Sequence, residues 1–185
     1  RDIDIDVDII GDPVANPGTY NGGGDLVDIR FCLGGRVKAY GTDNKMPVVM
    51  IHCSMNLVVE DGGAERLGSE LTIGDGLGNG YFCIERGMNL NNIVRNNRAN
   101  QTRNLYTTSG GLVGIWPYGV PTNTKIEGNY SQNSKLSGMS THEAGYNQVF
   151  SSNVIDGAKS MGINLRAKAG KILNNIIRRC NGSAV

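Results

Sequence analysis

Three side chains with complementary acid–base character occupy one position of a repeated pattern in this chain. Tyr118, His142 and Arg166 each stand four residues past a glycine (Gly114, Gly138 and Gly162), and those glycines are 24 residues apart. An imidazole or phenol moves a proton when its surroundings tune its pKa, and a guanidinium grips a carboxylate at two points. Brought together, the trio suits β-elimination at a uronic acid: Arg166 neutralises the carboxylate while His142 or Tyr118 removes the proton from the adjacent carbon. Glycoside hydrolysis instead needs two carboxyl groups flanking the bond. Glu143 is a candidate for one, with its partner drawn from another column, such as Asp156 or Glu127, or from another subunit. Alternation along a strand puts Trp116, Ser140 and Asn164 on one side of the chain, where Trp116, the only tryptophan, could stack on a sugar ring. The competing expectation is an ordinary solvated ladder of mixed polar residues.

The elements that would position these groups follow from the repeat itself. Gly114-Ile115-Trp116-Pro117-Tyr118 aligns with Gly138-Met139-Ser140-Thr141-His142 and with Gly162-Ile163-Asn164-Leu165-Arg166. In the same register Ile126 falls over Phe150 and Asn129 over Asn153, and a third copy arrives two residues early with Ile172 and Asn175. A period of this size marks a solenoid. Gly, Ser, Asn and Pro recur too often for helices, and no apolar period of 3.6 persists. The pattern therefore predicts an all-β fold, a parallel β-helix of about 22–24 residues per coil, whose coils stack at about 4.8 Å. Ile115, Met139, Ile163 and Val185 would form one internal ladder and Ile126, Phe150 and Ile172 another. The Asn column would be a turn ladder, because Asn tolerates the left-handed conformation of a sharp corner and its amide can bond to the coils on either side.

The chain reads as one domain: residues 1–25 an edge strand and loop, 26–113 irregular coils with insertions, 114–185 regular coils. Residues 2–9 alternate Asp with Ile or Val, which predicts a strand with one apolar and one acidic face; a calcium site on the aspartates is the lesser reading. Gly11–Asp25 reads as a loop. Strand patterning resumes at 26–31, 36–40 and 48–52. Met55-Asn-Leu and Met88-Asn-Leu, and Leu90-Asn-Asn-Ile and Leu173-Asn-Asn-Ile, are weaker echoes of the coil, with insertions at Asp61–Glu70 and Asn96–Gly110 expected to build a binding side. The Gly74–Gly80 segment lacks the Gly-Lys-Ser/Thr ending of a phosphate loop. His52, among apolar neighbours, reads as a packed residue. A net charge of +1, from 18 basic and 17 acidic residues, gives no field to hold nucleic acid or an acidic membrane. Cys32, Cys53, Cys83 and Cys180 lack zinc spacing and read as reduced and packed, with a Cys32–Cys53 bridge as the alternative. No secretory or membrane-spanning segment is apparent. Arg1 opens the sequence and Val185 falls on a core ladder, so the expectation is a piece of a longer chain.

The segment Gly138-Met-Ser-Thr-His-Glu, with Asn153-Val-Ile-Asp-Gly, Gly162-Ile and Asn174-Asn-Ile-Ile, resembles the pectate-lyase-like parallel β-helix superfamily. It is similar to bacteriophage tailspike depolymerases and, more distantly, to alginate epimerases. Their Asp-Pro-His-Glu or Asp-Pro-His-Asp signature aligns with Ser140-Thr141-His142-Glu143, so that His142 carries over and the leading Asp does not. The resemblance covers residues 110–185. It implies a right-handed β-helix in a homotrimer that binds and cuts bacterial surface polysaccharide without a cofactor, located in a virion tail made in the host cytoplasm. The alternatives are a non-catalytic glycan-binding or structural β-helix of a phage tail or adhesin, and a bacterial lyase or epimerase at the cell surface or outside it.

Overall fold

The computed structural model describes residues 2–10, 27–43, 47–67, 81–109, 121–141 and 145–185. Of the sequence expectations, the loop Gly11–Asp25, the Gly74–Gly80 segment, Ile115, Trp116, Tyr118, His142 and Glu143 lie outside these residues. The described residues contain no helix. Their strands are β1 (Asp2–Ile10), β2 (Val27–Arg30), β3 (Gly34–Thr42), β4 (Val49–His52), β5 (Leu57–Glu60), β6 (Gly63–Glu65), β7 (Tyr81–Arg86), β8 (Ile93–Arg95), β9 (Arg98–Asn100), β10 (Asn104–Ser109), β11 (Lys125–Glu127), β12 (Tyr130–Gln132), β13 (Met139–Ser140), β14 (Val149–Ser151), β15 (Val154–Asp156), β16 (Ile163–Asn164), β17 (Lys171–Leu173) and β18 (Ile176–Arg178).

These strands form a 12-stranded and a 6-stranded sheet, and the pairings are parallel. The larger sheet has two arms, β5-β8-β11-β14-β17 and β6-β9-β12-β15-β18, joined through the long β3, whose first half pairs with β5 and second half with β6. The smaller sheet runs β2-β4-β7-β10-β13-β16. Successive strands along the chain thus visit arm, arm and small sheet in rotation, consistent with a solenoid.

Equivalent residues on successive rungs pile into interior ladders. Ile5, Val37, Val59, Val94, Ile126, Phe150 and Ile172 pair in sequence along one arm. Val49, Cys83, Tyr106, Met139 and Ile163 do so along the small sheet, each fully buried. The second arm answers with smaller residues in its middle rungs, Gly41, Ala64, Ala99 and Ser131, before Ile155 and Ile177. Large groups on one side face small ones on another, and Tyr106 meets Phe150 edge to face with centroids 5.9 Å apart.

One carboxyl group breaks the apolar interior. Glu85, fully buried, accepts from Asn92 Nδ2 (2.6 Å), Tyr106 OH (2.6 Å) and Thr124 Oγ1 (2.9 Å). Burial pushes its pKa up, against the three hydrogen bonds that favour its charged form.

The corner between the two arms is built the same way on each rung. A left-handed residue comes first: Asp61, Asn96, Gly128, Ser152 and Asn174 have φ of 55, 54, 64, 55 and 53°. The next residue on the upper rungs is a buried or half-buried Asn that bonds across rungs. Asn129 Oδ1 accepts from Asn97 N (2.9 Å) and its Nδ2 donates to Val94 O (2.9 Å). Asn153 repeats this on Asn129 N (3.0 Å) and Ile126 O (2.9 Å), and Asn175 on Asn153 N (2.8 Å) and Phe150 O (2.9 Å). An unpaired buried backbone group costs about 1–3 kcal/mol, so these amides hold the turn in place.

The expected ladders Ile126–Phe150–Ile172, Asn129–Asn153–Asn175 and Met139–Ile163 are observed. The Gly138 and Gly162 column has a steric cause: a Cβ on Gly138 would lie 2.5 Å from Ile155 Cγ2 and 2.7 Å from Gly162 O, and one on Gly162 would overlap Ile177 Cγ2. Strands β2, β3 and β4 fall where the patterning predicted them, and β1 packs Ile3, Ile5 and Val7 against the core with Asp4 and Asp6 exposed.

Four registers are corrected. Met139 pairs on the far side from Ile163 with Tyr106, which takes the place expected for Ile115, and Ser140 likewise pairs with Thr107 instead of Trp116. Met55 bridges to Leu90, so the Met88 echo is two residues out of register. Leu90-Asn-Asn-Ile and Leu173-Asn-Asn-Ile lie at different corners, one entering the first arm and the other between the arms. The expected insertions at Asp61–Glu70 and Asn96–Gly110 contain β6, β9 and β10. No disulfide joins the four cysteines; Cys83 is buried, Cys53 exposed, Cys32 and Cys180 intermediate.

Candidate functional site on the six-stranded sheet

The described residues of the expected site come from the six-stranded sheet and the turn after it. Met139 and Ile163 point into the core, so alternation puts their neighbours Ser140 and Asn164, which pair with each other, on the opposite, outer face. Thr107 continues this row on the rung beyond Ser140. Ser140 is only 6% exposed and is engaged: Thr107 Oγ1 lies 3.0 Å from its Oγ, and its Oγ donates to the Asn104 amide oxygen at 2.7 Å. The Asn104 nitrogen is then satisfied by the carbonyls of Arg103 (2.6 Å) and Ser137 (2.9 Å). Ser140 is thus part of an internal polar chain, whereas Asn164 is half-exposed.

Arg166, two residues past Asn164, is exposed. Buried Thr141 fixes its backbone: Thr141 N donates to Asn164 O (2.8 Å) and Thr141 Oγ1 accepts from Arg166 N (2.5 Å). Leu165 between them packs on the core, which leaves residues 164 and 166 on the outer side. The two carboxylates considered as partners for Glu143 stand elsewhere. Glu127 is on β11 and Asp156 on β15, one on each arm of the larger sheet. Asp156 is buried and held by Arg179 Nε (2.5 Å) and Arg178 Nη2 (3.0 Å); the Arg179 hydrogen bond, with help from Arg178, keeps it below the usual carboxylate range against the opposing effect of burial.

The first rungs of the same outer face carry a charged group that sequence reading missed. Ile29 and Ile51 face the core, so Asp28 and Arg30 on β2 and His52 on β4 face outward, and Arg86 on β7 pairs with His52. Arg30 Nη2 donates to Asp28 Oδ2 at 2.6 Å. His52 Nε2 is buried, makes no hydrogen bond, and stands 3.6 Å from Asp28 Oδ1. Burial pushes the His52 pKa down; Arg30 and Arg86 add to this and Asp28 opposes it. A signal was available: Val27-Asp-Ile-Arg and Val49-Met-Ile-His are the same strand, 22 residues apart.

The length of the connections marks the same face. The corner between the two arms keeps one length on every rung from β5 onward, while residues 11–26, 68–80 and 110–120 fall between the small sheet and its neighbours in the chain. On the opposite side, β1 and β3 with the corner after β5 frame a cleft of about 400 Å³ lined by Asp4, Asp6, Arg36, Lys38, Glu60 and Asp61. Two of its four carboxylates are paired: Lys38 meets Asp6 at 3.2 Å, and Glu60 is gripped by Arg36 and by Arg95 Nη2 (2.6 Å). Among the described residues no group of three or more His, Cys, Asp or Glu is arranged to hold a metal ion, and no helix is long and apolar enough to cross a membrane.

Comparison with known proteins adds no relative: no family model, no curated protein and no solved structure matches the chain.

Proposed function

We propose that the chain is a right-handed parallel β-helix whose outer six-stranded face binds an acidic bacterial polysaccharide laid along the stack. The observation that carries this reading is a single face that presents Arg30, His52 and Arg86 on its first three rungs and Asn164 and Arg166 on or beside its last. Rungs about 4.8 Å apart offer an extended ligand a row of equivalent contacts. Arg166 supplies a guanidinium for a uronate carboxylate. His142, Tyr118 and Glu143 are the groups proposed to act on the glycosidic linkage, by elimination or hydrolysis, and Trp116 to stack on a sugar ring. The tailspike resemblance supports this reading, and with it a homotrimer in a virion tail that needs no cofactor.

A second reading, binding without cleavage, is favoured by Ser140: a residue expected to touch substrate is closed within the Asn104–Thr107 chain. Incubation with polyuronates separates the two. Growth of ultraviolet absorbance from unsaturated uronate, abolished in His142→Ala, is the expected result. New reducing ends without that absorbance assign hydrolysis, and retained binding with neither product assigns the binding-only reading.

A further inference from the structure

We propose that Arg30, His52 and Arg86 form a subsite for one anionic substituent, a carboxylate or a sulfate ester, of that polysaccharide, and that His52 takes up a proton from solvent as the anion docks. The inference rests on the polysaccharide reading of the outer face and names the chemistry of its first rungs.

The three residues occupy one column. Arg30 pairs with His52 and His52 with Arg86, so the two arginines stand about 10 Å apart at their backbones with the imidazole between them. An anion above His52 is then flanked by guanidinium groups from both sides, the arrangement best suited to carboxylate and sulfate oxygens. Among the described residues the group's acidic side chain is Asp28, and Arg30 already spans it through Nε (3.1 Å) and Nη2 (2.6 Å). This ion pair runs along β2 and fixes where the Arg30 guanidinium sits on the outer face.

His52 gives the subsite its pH response. Its Nε2 is removed from solvent without a hydrogen bond, and among the described residues the charged groups facing it are Asp28 and Arg30 from β2 and Arg86 from β7. In the free protein two positive neighbours and burial disfavour the imidazolium. A docked anion offsets both guanidinium charges, and Asp28, 3.6 Å from Nε2, then favours a proton there. Anion binding and His52 protonation therefore promote each other, and affinity rises as pH falls through the imidazole range.

The test uses the whole protein and three probes: an oligogalacturonate, dextran sulfate and uncharged dextran. Calorimetric titration across the imidazole range is expected to show several-fold tighter binding of at least one acidic probe at the low end, and none of the neutral one. His52→Gln should abolish that pH dependence, and Arg86→Gln should weaken binding several-fold at every pH. The imidazole resonances report directly, since the chain has two histidines and His52→Gln identifies the signal. The His52 pKa should rise when oligogalacturonate or inorganic sulfate is added. Polysaccharide binding that leaves the His52 titration unmoved overturns the subsite and spares the polysaccharide reading. A sulfate-induced rise in a protein that binds no polysaccharide does the reverse.

Discussion

The corner between the two arms of the large sheet and the corners that flank the six-stranded sheet both turn the chain, under different constraints. Between the arms, each turn places a left-handed residue before a residue that bonds to the next rung, from Gly62 through Asn97, Asn129, Asn153 and Asn175. An extra residue there would strand buried amides on two rungs. At the exit from the small sheet the cross-rung bonds pass through unlike residues: Cys32 N donates to Ser54 Oγ (3.0 Å) and Ser54 N to Asn89 Oδ1 (3.0 Å). Length is free to vary on that side, and the step between rungs runs from 35 and 32 residues down to 24 and 22. Hydrogen bonding fixes the length of the chain on one side of the molecule and leaves it free on the other.

Substitutions on the two sides should therefore separate stability from binding. The largest loss is expected for Phe150→Ala, which removes a fully buried ring from an interior ladder: about 3–5 kcal/mol, read as a lower urea midpoint at unchanged slope. Asn129→Ala should cost about 3 kcal/mol, because it orphans Asn97 N and Val94 O together. Neither should alter polysaccharide affinity in protein that remains folded. A loss of binding at full stability in either variant would erase the distinction between the sides.

Glu85 sharpens the contrast from within. Its pKa is raised on folding, so its contribution is fully present below the ordinary carboxylate value and is lost as pH rises through the folded value. Asp156, lowered on folding, contributes above the ordinary value and loses its effect in acid. Glu85→Gln is expected to flatten the decline of stability from mildly acidic to neutral pH, seen in urea midpoints across that window, and to leave the acid limb in place. The smallest stability effect belongs to the outer face. Asn164→Ala should stay within about 0.5 kcal/mol of the parent while weakening polysaccharide binding in a titration.

The regular half of the chain was legible because its coils keep nearly one length. Ile126, Phe150 and Ile172, and the three Asn residues beside them, could be aligned by counting. Counting failed where coil length changes. Tyr106 takes the rung next to Met139 because 104–109 pairs with both β7 and β13, and residues 110–120 follow the strand. Met88 mimicked Met55 because the turn from β7 to the first arm is longer than the turn from β4. β9 and β10 read as loop since Arg, Asn, Gln and Thr crowd them, yet their cross-rung bonds satisfy those groups; Asn97 was passed over for the same reason. Of the candidate face, Asn164 and Arg166 were placed by register, while Asp28, Arg30 and Arg86 escaped notice because each is an ordinary surface charge until the rungs are stacked.

Backbone amide shift mapping during titration with an acidic oligosaccharide tests the assignment of the face most directly. Shifts are expected at residues 28–30, 50–52, 140, 164 and 166, with 58–60, 93–95, 130–132 and 154–156 on the arms unmoved. Shifts that gather on the arms, or a titration that moves no resonance at all, would contradict it.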